Sequence, residues 1–367
     1  MLKPRLCHLF LICLLALGGA LTAYADPIDI GEAFPEKALP APTDPQQRAY
    51  LGLGDGPTFT LSQIGGKVVL VEMLNALCPH CRKQTGPYNK LYRMLEESPE
   101  TRGKVKMLGV AVANSDEQIA DFIDIYQVAF PIVADRRFTL HRAVRGGPTP
   151  LSIYALRSQP GEPWVVAGSH LGEDYDMEGL FDFLRGLLQE EASTFASLPS
   201  EAVPAEKRPE PPQDEAEISR RVAAAFIAQG GELRDFKRLS LPSGRRVYAA
   251  TLTRDGSDRT LYAEVASRSS ICDICHDVHF FYLFDRSGKV LGLEKLQLTK
   301  YGNVEWDAGE LAAFVRNVLG RPLYGSWSFN PKVDAVTSAT MTSAIIFDSL
   351  DQGKVLLEEL AAERLLK

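Results

Sequence analysis

The chain has 367 residues, 45% apolar and 24% charged, with 29 Gly and 23 Pro. That composition excludes a fibre, a wholly disordered chain and a polytopic membrane protein. A formal net charge of −7 leaves no basic footprint for nucleic acid, and the length suggests two domains, each able to enclose a core.

In chain order, Lys3 and Arg5 precede an apolar run from Leu6 to Leu21, followed by Ala23-Tyr24-Ala25-Asp26. This small-x-small pattern predicts a secretory signal peptide over 1–25 and export to a bacterial periplasm. The run is short for a bilayer span, so an uncleaved anchor is the lesser alternative. A first block over 27–195 opens with a buried strand at Lys67–Leu74, apolar enough to lie at the centre of a sheet. A helix follows to about Leu95, with Leu91 and Leu95 on one face. Val105–Ala113 is a second strand, and Asn114-Ser115-Asp116 caps a helix through Tyr126. Phe130–Val133 returns to the sheet, Leu151–Tyr154 and Trp164–Val166 form a hairpin, and a helix from Met177 to about Glu191 closes the block. Strands alternating with helices predict an α/β layer with a mixed sheet. Pro199, Pro204, Pro209, Pro211 and Pro212 mark 196–215 as a Pro/Glu-rich linker, semi-extended and without apolar periodicity. The second block, 216–367, reads as α+β. It has a helix near Glu215–Gln229 and strands at Val247–Thr253, Leu261–Ala266 and Phe280–Asp285. A capping box joins Asp307 and Glu310, and a last helix starts near Thr340.

Six cysteines are present. Cys7 and Cys13 lie in the N-terminal run; the others form Cys78-Pro79-His80-Cys81 and Cys272-Asp273-Ile274-Cys275-His276. Structural disulfides in an oxidising compartment usually close long loops. A partner three residues away restricts the unfolded chain little, so both pairs point to chemistry. Cys78 opens a helix, where unpaired N–H groups and the dipole favour a thiolate. His80 adds positive charge when protonated, and Cys81 is placed to resolve a mixed disulfide.

With these residues, the first block resembles the thioredoxin-like superfamily, specifically exported thiol–disulfide oxidoreductases of the TlpA/ResA and redoxin groups. The Pro-His dipeptide is also that of DsbA. Gly147-Pro148-Thr149 matches the loop where the superfamily keeps a cis-proline beside the cysteines, which implicates Pro148. Glu72 falls where thioredoxin has a buried acid that exchanges a proton with the resolving cysteine; an interior salt bridge is its rival role. Pro87 stands one residue later in the helix than is usual. The resemblance implies disulfide exchange with protein thiols. The dipeptide leans oxidising and the subgroup reducing, so the direction stays open.

Asp334-Ala335-Val336-Thr337-Ser338-Ala339-Thr340 resembles the FMN-binding domain of the sodium-pumping NADH:quinone reductase and Rnf subunits. In that family the last threonine carries FMN through a phosphoester. The resemblance implies a covalent flavin on Thr340, flanked by Asp334, Thr337, Ser338 and Ala339. It also implies an FMN transferase for maturation and a membrane electron donor or acceptor. Ser338 stands where the family has glycine. For the second cysteine pair, three readings remain: a redox dithiol, c-type haem attached at Cys272 and Cys275 with His276 as axial ligand, or a metal or inert disulfide site. No second ligand pair accompanies it, so no metal is expected. The expected protein is thus an exported thiol–disulfide oxidoreductase coupled to a flavinylated module. Its rival is a non-enzymatic flavin or haem carrier with a thioredoxin-like docking domain.

Overall fold

The computed structural model describes residues 27–197, 208–272 and 275–366. The expected signal peptide, Cys7, Cys13 and the middle of the expected linker lie outside these residues. Among the described residues, no helix is long and apolar enough to cross a membrane.

The first block is built on β1 (Val68–Leu74), β2 (Val105–Val112), β3 (Ile132–Asp135), β4 (Leu151–Leu156) and β5 (Val165–Leu171). Their order is β3-β2-β1-β4-β5. β1, β2 and β3 run parallel, whereas β4 and β5 are antiparallel to their neighbours. Every residue of β1 and β2 is buried, which is why both read as apolar runs without alternation: helices cover one face and other chain segments the other. α1 (Pro79–Glu97), α2 (Asp116–Tyr126) and α3 (Met177–Leu187) belong to this block. Leu70 of β1, Leu91 and Leu95 of α1, and Leu184 of α3 share one apolar cluster. Val69 and Val71 point the other way, into a cluster with Phe138 and Trp164.

The second block holds α4 (Glu215–Ala228) and an antiparallel meander. Its strands are β6 (Glu232–Leu239), β7 (Arg246–Arg254), β8 (Ser257–Arg268), β9 (Val278–Asp285) and β10 (Val290–Gln297). Ile218, Val222 and Phe226 of α4 pack on one sheet face with Ala250, Leu261 and Phe281. The opposite face sends Tyr262, Phe280 and Phe284 into a cluster that also takes residues of three further helices. These are α5 (Ala308–Val318), α6 (Thr340–Asp351) and α7 (Gly353–Ala362). The expected capping box is present: the side chain of Asp307 accepts from the Glu310 amide, and that of Glu310 from the Asp307 amide. β6 and β10 are additions to the expected strands. Both are edge strands, and β6 (ELRDFKRL) buries only its last residue, so its sequence carries no apolar stripe to betray it.

The two blocks dock. The cluster holding Phe138 and Leu140 continues through Ile271 to Ile345 and Leu350. At its edge, buried Asp348 pairs with Arg142 and, at 2.8 Å, with Arg268; Arg137 pairs with Asp351. The described end of the expected linker lies against the second block. Gln213 Nε2 donates to the Leu296 carbonyl at 3.0 Å, Glu210 pairs with Arg246 at 2.8 Å, and Asp214 caps α4.

Candidate active site at the junction of the blocks

Two asparagines set the turn between β1 and α1. Asn75 Nδ2 donates to the Val112 carbonyl at 2.7 Å, and its Oδ1 accepts from the Leu77 amide at 2.9 Å. Asn114 Oδ1 accepts from the Ala76 amide at 3.0 Å. The turn delivers Cys78 to the N-cap of α1, with Pro79 in the first turn, where its missing N–H costs the helix nothing. Cys78 and Cys81 are both reduced and buried. Cys78 Sγ lies 3.3 Å from the Thr149 carbonyl, while Cys81 Sγ accepts from the Asn75 amide at 3.4 Å.

The two thiols are driven apart electrostatically. A hydrogen bond from Cys81, supported by the amides of Cys81 and His80, holds the Cys78 pKa down at about 6 against the opposing effect of burial. Burial and the neighbouring Cys78 push Cys81 well above the ordinary thiol range. Glu72 lies beneath them on β1, in register with Gly109 and Ser152. It is 2% exposed, and burial, then the Cys78 charge, raises it to about 8. Among the described residues Glu72 makes no salt bridge; Ser152, its neighbour in register on β4, has its Oγ 2.5 Å from the Tyr88 hydroxyl. His80 Nδ1 sits 2.6 Å from Glu173 Oε1. Glu173 follows β5, and sequence reading did not single it out. α1 continues as one helix past Pro87.

The loop opposite Cys78 corrects one expectation. The cis peptide bond is Thr149–Pro150, so the proline beside the cysteines is Pro150 and not Pro148, which lies buried two residues earlier. His141 supports this loop through a 2.9 Å contact between Nε2 and the Gly147 carbonyl. Burial holds His141 down at about 4, so near neutrality the ring is uncharged and Nε2–H is the donor. A Cβ on Gly146 would come within 2.6 Å of that ring, which accounts for the glycine. Asp135 in turn fixes the short helix Thr139–Ala143, its carboxylate accepting from the amides of Thr139, Leu140 and His141.

The second block completes the wall. The Thr149 amide and hydroxyl donate to the Ile271 carbonyl at 3.0 and 3.1 Å, and Thr149 forms a parallel β-bridge with Cys272. Cys272 is joined to Cys275 as a disulfide with Cα atoms 5.2 Å apart. The sulfurs therefore bond to each other; a haem thioether would use the same two atoms. Of the nearby histidines, His276 is exposed, with its amide bonded to Asn303 Oδ1. His279 is buried in β9 with Nδ1 2.9 Å from Ser267 Oγ.

Cys275 and the Ser338–Thr342 segment face one cavity of about 360 Å³, within the ~300–1,000 Å³ of small-molecule sites. Leu77, Pro79 and Arg82 line it from the first block; Ser270, Cys275, Lys300, Tyr301 and Ser338–Thr342 line it from the second. Ser338, Ala339 and Thr340 thus meet there, whereas Asp334 and Thr337 lie outside the lining. Asp334 instead accepts from the Asn330 amide, and Thr337 is exposed. Ser338 has φ +60°, the left-handed region that glycine adopts without penalty.

Residues 30–157 match the AhpC/TSA family. The thiol-disulfide oxidoreductase ResA of Halalkalibacterium halodurans is 27% identical over 108 residues, which are 29% of this chain and 57% of ResA. The chain therefore spans little more than half the length of that relative. StoA from Bacillus subtilis aligns with 32% of this chain and 83% of its own, at 22% identity and a TM-score of 0.27. A secreted thiol-disulfide isomerase from Corynebacterium glutamicum aligns over 47% and 96% respectively, at 17% identity and a TM-score of 0.34. Within the first block, residues 30–157 thus carry the AhpC/TSA match, and the similarity to thiol-disulfide oxidoreductases falls on that block.

Proposed function

We propose that the chain is an exported thiol–disulfide oxidoreductase acting on protein partners through Cys78 and Cys81. The observation that carries this reading is the placement of two reduced thiols at a strand-to-helix junction, with Cys78 at the N-cap. Near neutrality Cys78 is the thiolate. It attacks one sulfur of a partner disulfide, forming a mixed disulfide and releasing the partner's other sulfur as a thiolate. Cys81 then loses its proton and attacks Cys78 Sγ, which frees the partner dithiol and leaves Cys78–Cys81 oxidised. Glu72, ionising near 8, is the buried base matched to that proton. The reverse sequence oxidises a partner. Cys78→Ser is expected to abolish insulin reduction by the purified protein; turnover that survives the substitution contradicts the reading.

The second block is proposed to carry FMN on the Thr340 hydroxyl. What supports it is the left-handed Ser338, the absence of any side-chain cap on α6 and the presence of Arg82 and Lys300 among the cavity-lining residues. Arg82 and Lys300 would face the phosphate, the free N–H groups of α6 would share its charge, and Tyr301 offers an aromatic face. Bound flavin would supply electron transfer to or from a membrane partner, after loading by an FMN transferase. Intact mass of protein from its native host, with a threonine-linked FMN adduct lost in Thr340→Ala, tests this assignment.

A further inference from the structure

Cys78 is fully buried, although a thiol that serves outside partners needs access. What covers its loop is the second block's own disulfide segment, hydrogen-bonded along Thr149. An extended chain laid on a neighbouring backbone edge and held by main-chain bonds is how many domains hold a peptide. Here the bridge residue so held, Cys272, belongs to an oxidised cysteine pair, and the Cys78 sulfur lies against the Thr149 carbonyl.

We infer that Cys272–Cys275 is an internal redox partner of Cys78–Cys81, docked in the position of a substrate. The inference rests on Cys78 being the nucleophile assigned above. The Cys78 thiolate attacks Cys272 Sγ, the residue in register with Thr149; the Cys272–Cys275 bond breaks and a Cys78–Cys272 bond forms. Cys275 leaves as a thiolate. It is the more exposed of the two and lines the cavity with Arg82 and with Lys300, itself paired with Glu310, so the leaving sulfur has access to solvent and to the Arg82 guanidinium. Cys81 gives up its proton and attacks Cys78 Sγ, forming Cys78–Cys81 and expelling Cys272 as a thiolate. Two electrons pass from the first pair to the second, the Cys81 proton ends on the reduced pair, and no outside oxidant enters. The reverse reaction recharges the first pair whenever the second is reduced. Cys275 and Thr340 line one cavity, together with Leu77 and Pro79 on either side of Cys78.

The test uses full-length Cys81→Ser/Cys275→Ser protein, in which neither pair can close on itself. After equilibration in a glutathione redox buffer and an acid quench, non-reducing peptide mass mapping is expected to find Cys78 bonded to Cys272 within one chain. Cys78 bonded only to glutathione overturns the internal exchange and leaves its nucleophilic role standing. Cys78 recovered as an unreacted thiol overturns both. Wild-type protein gives a second check that no folding defect can blur. After one equivalent of dithiol reductant, disulfide redistribution between the pairs is expected at a rate independent of protein concentration. A rate proportional to concentration overturns the proposal.

Discussion

The chain presents the same spacing, Cys-x-x-Cys, twice, and the two copies sit in opposite surroundings. Cys78 and Cys81 straddle the first turn of a 19-residue helix, one sulfur fed by amide and thiol donors and the other sealed in an apolar interior. Cys272 and Cys275 lie in the connection between β8 and β9, with no helix start beneath them, and are joined to each other. Spacing permits a pair to close; the helix terminus and the hydrogen bonds it supplies decide which sulfur becomes nucleophilic.

The largest expected effect that sharpens this contrast is Cys78→Ser, which should take insulin reduction to the uncatalysed rate. Glu72→Gln comes next. Without the buried base, resolution of a Cys78-linked mixed disulfide should slow by about 10²-fold, read by rapid-quench mass spectrometry. The same substitution has a pH signature. The folded pKa of Glu72 is raised to about 8, so its favourable contribution is complete below the unfolded carboxyl range and is lost as pH rises through about 8. Wild-type protein should therefore lose stability relative to Glu72→Gln across that window in denaturant titrations; parallel pH profiles would show Glu72 to be an ordinary carboxylate. Asn75→Ala removes the bonds that shape the turn before Cys78 and should cost about 1–3 kcal/mol. The smallest effect is at Ser338. A left-handed residue other than glycine costs ~1–2 kcal/mol, offset by ~0.5–1 kcal/mol of extra chain entropy for glycine. Ser338→Gly is thus expected to stabilise by about 0–1.5 kcal/mol, measured by thermal melting.

What was legible in the sequence was what repeats along the chain or sits at a fixed offset. β1 and β2 announced themselves as apolar runs, α1 by Leu91 and Leu95 on one face, α2 by its Asn114-Ser115-Asp116 cap, and the Cys78 N-cap by the strand-then-CxxC order. Edge strands β6 and β10 escaped because one half-wet face leaves no clean alternation. The cis-proline was placed two residues early because Gly147-Pro148-Thr149-Pro150 offers two prolines, and only the three-dimensional loop distinguishes them. Asn75, Asn114 and Glu173 act through contacts between residues distant in sequence, which no local pattern records. Docking of the second pair against Thr149 lay furthest from view, since the partners are more than a hundred residues apart in the chain.

The direct measurement is a thiolate titration of the reduced protein, following ultraviolet thiolate absorbance against pH and subtracting the Cys78→Ser curve. A midpoint near 6, with the thiolate lost only as pH falls through that value, is the predicted result. A midpoint at the ordinary cysteine value, about 8.5, would contradict the assignment of Cys78 as the nucleophile.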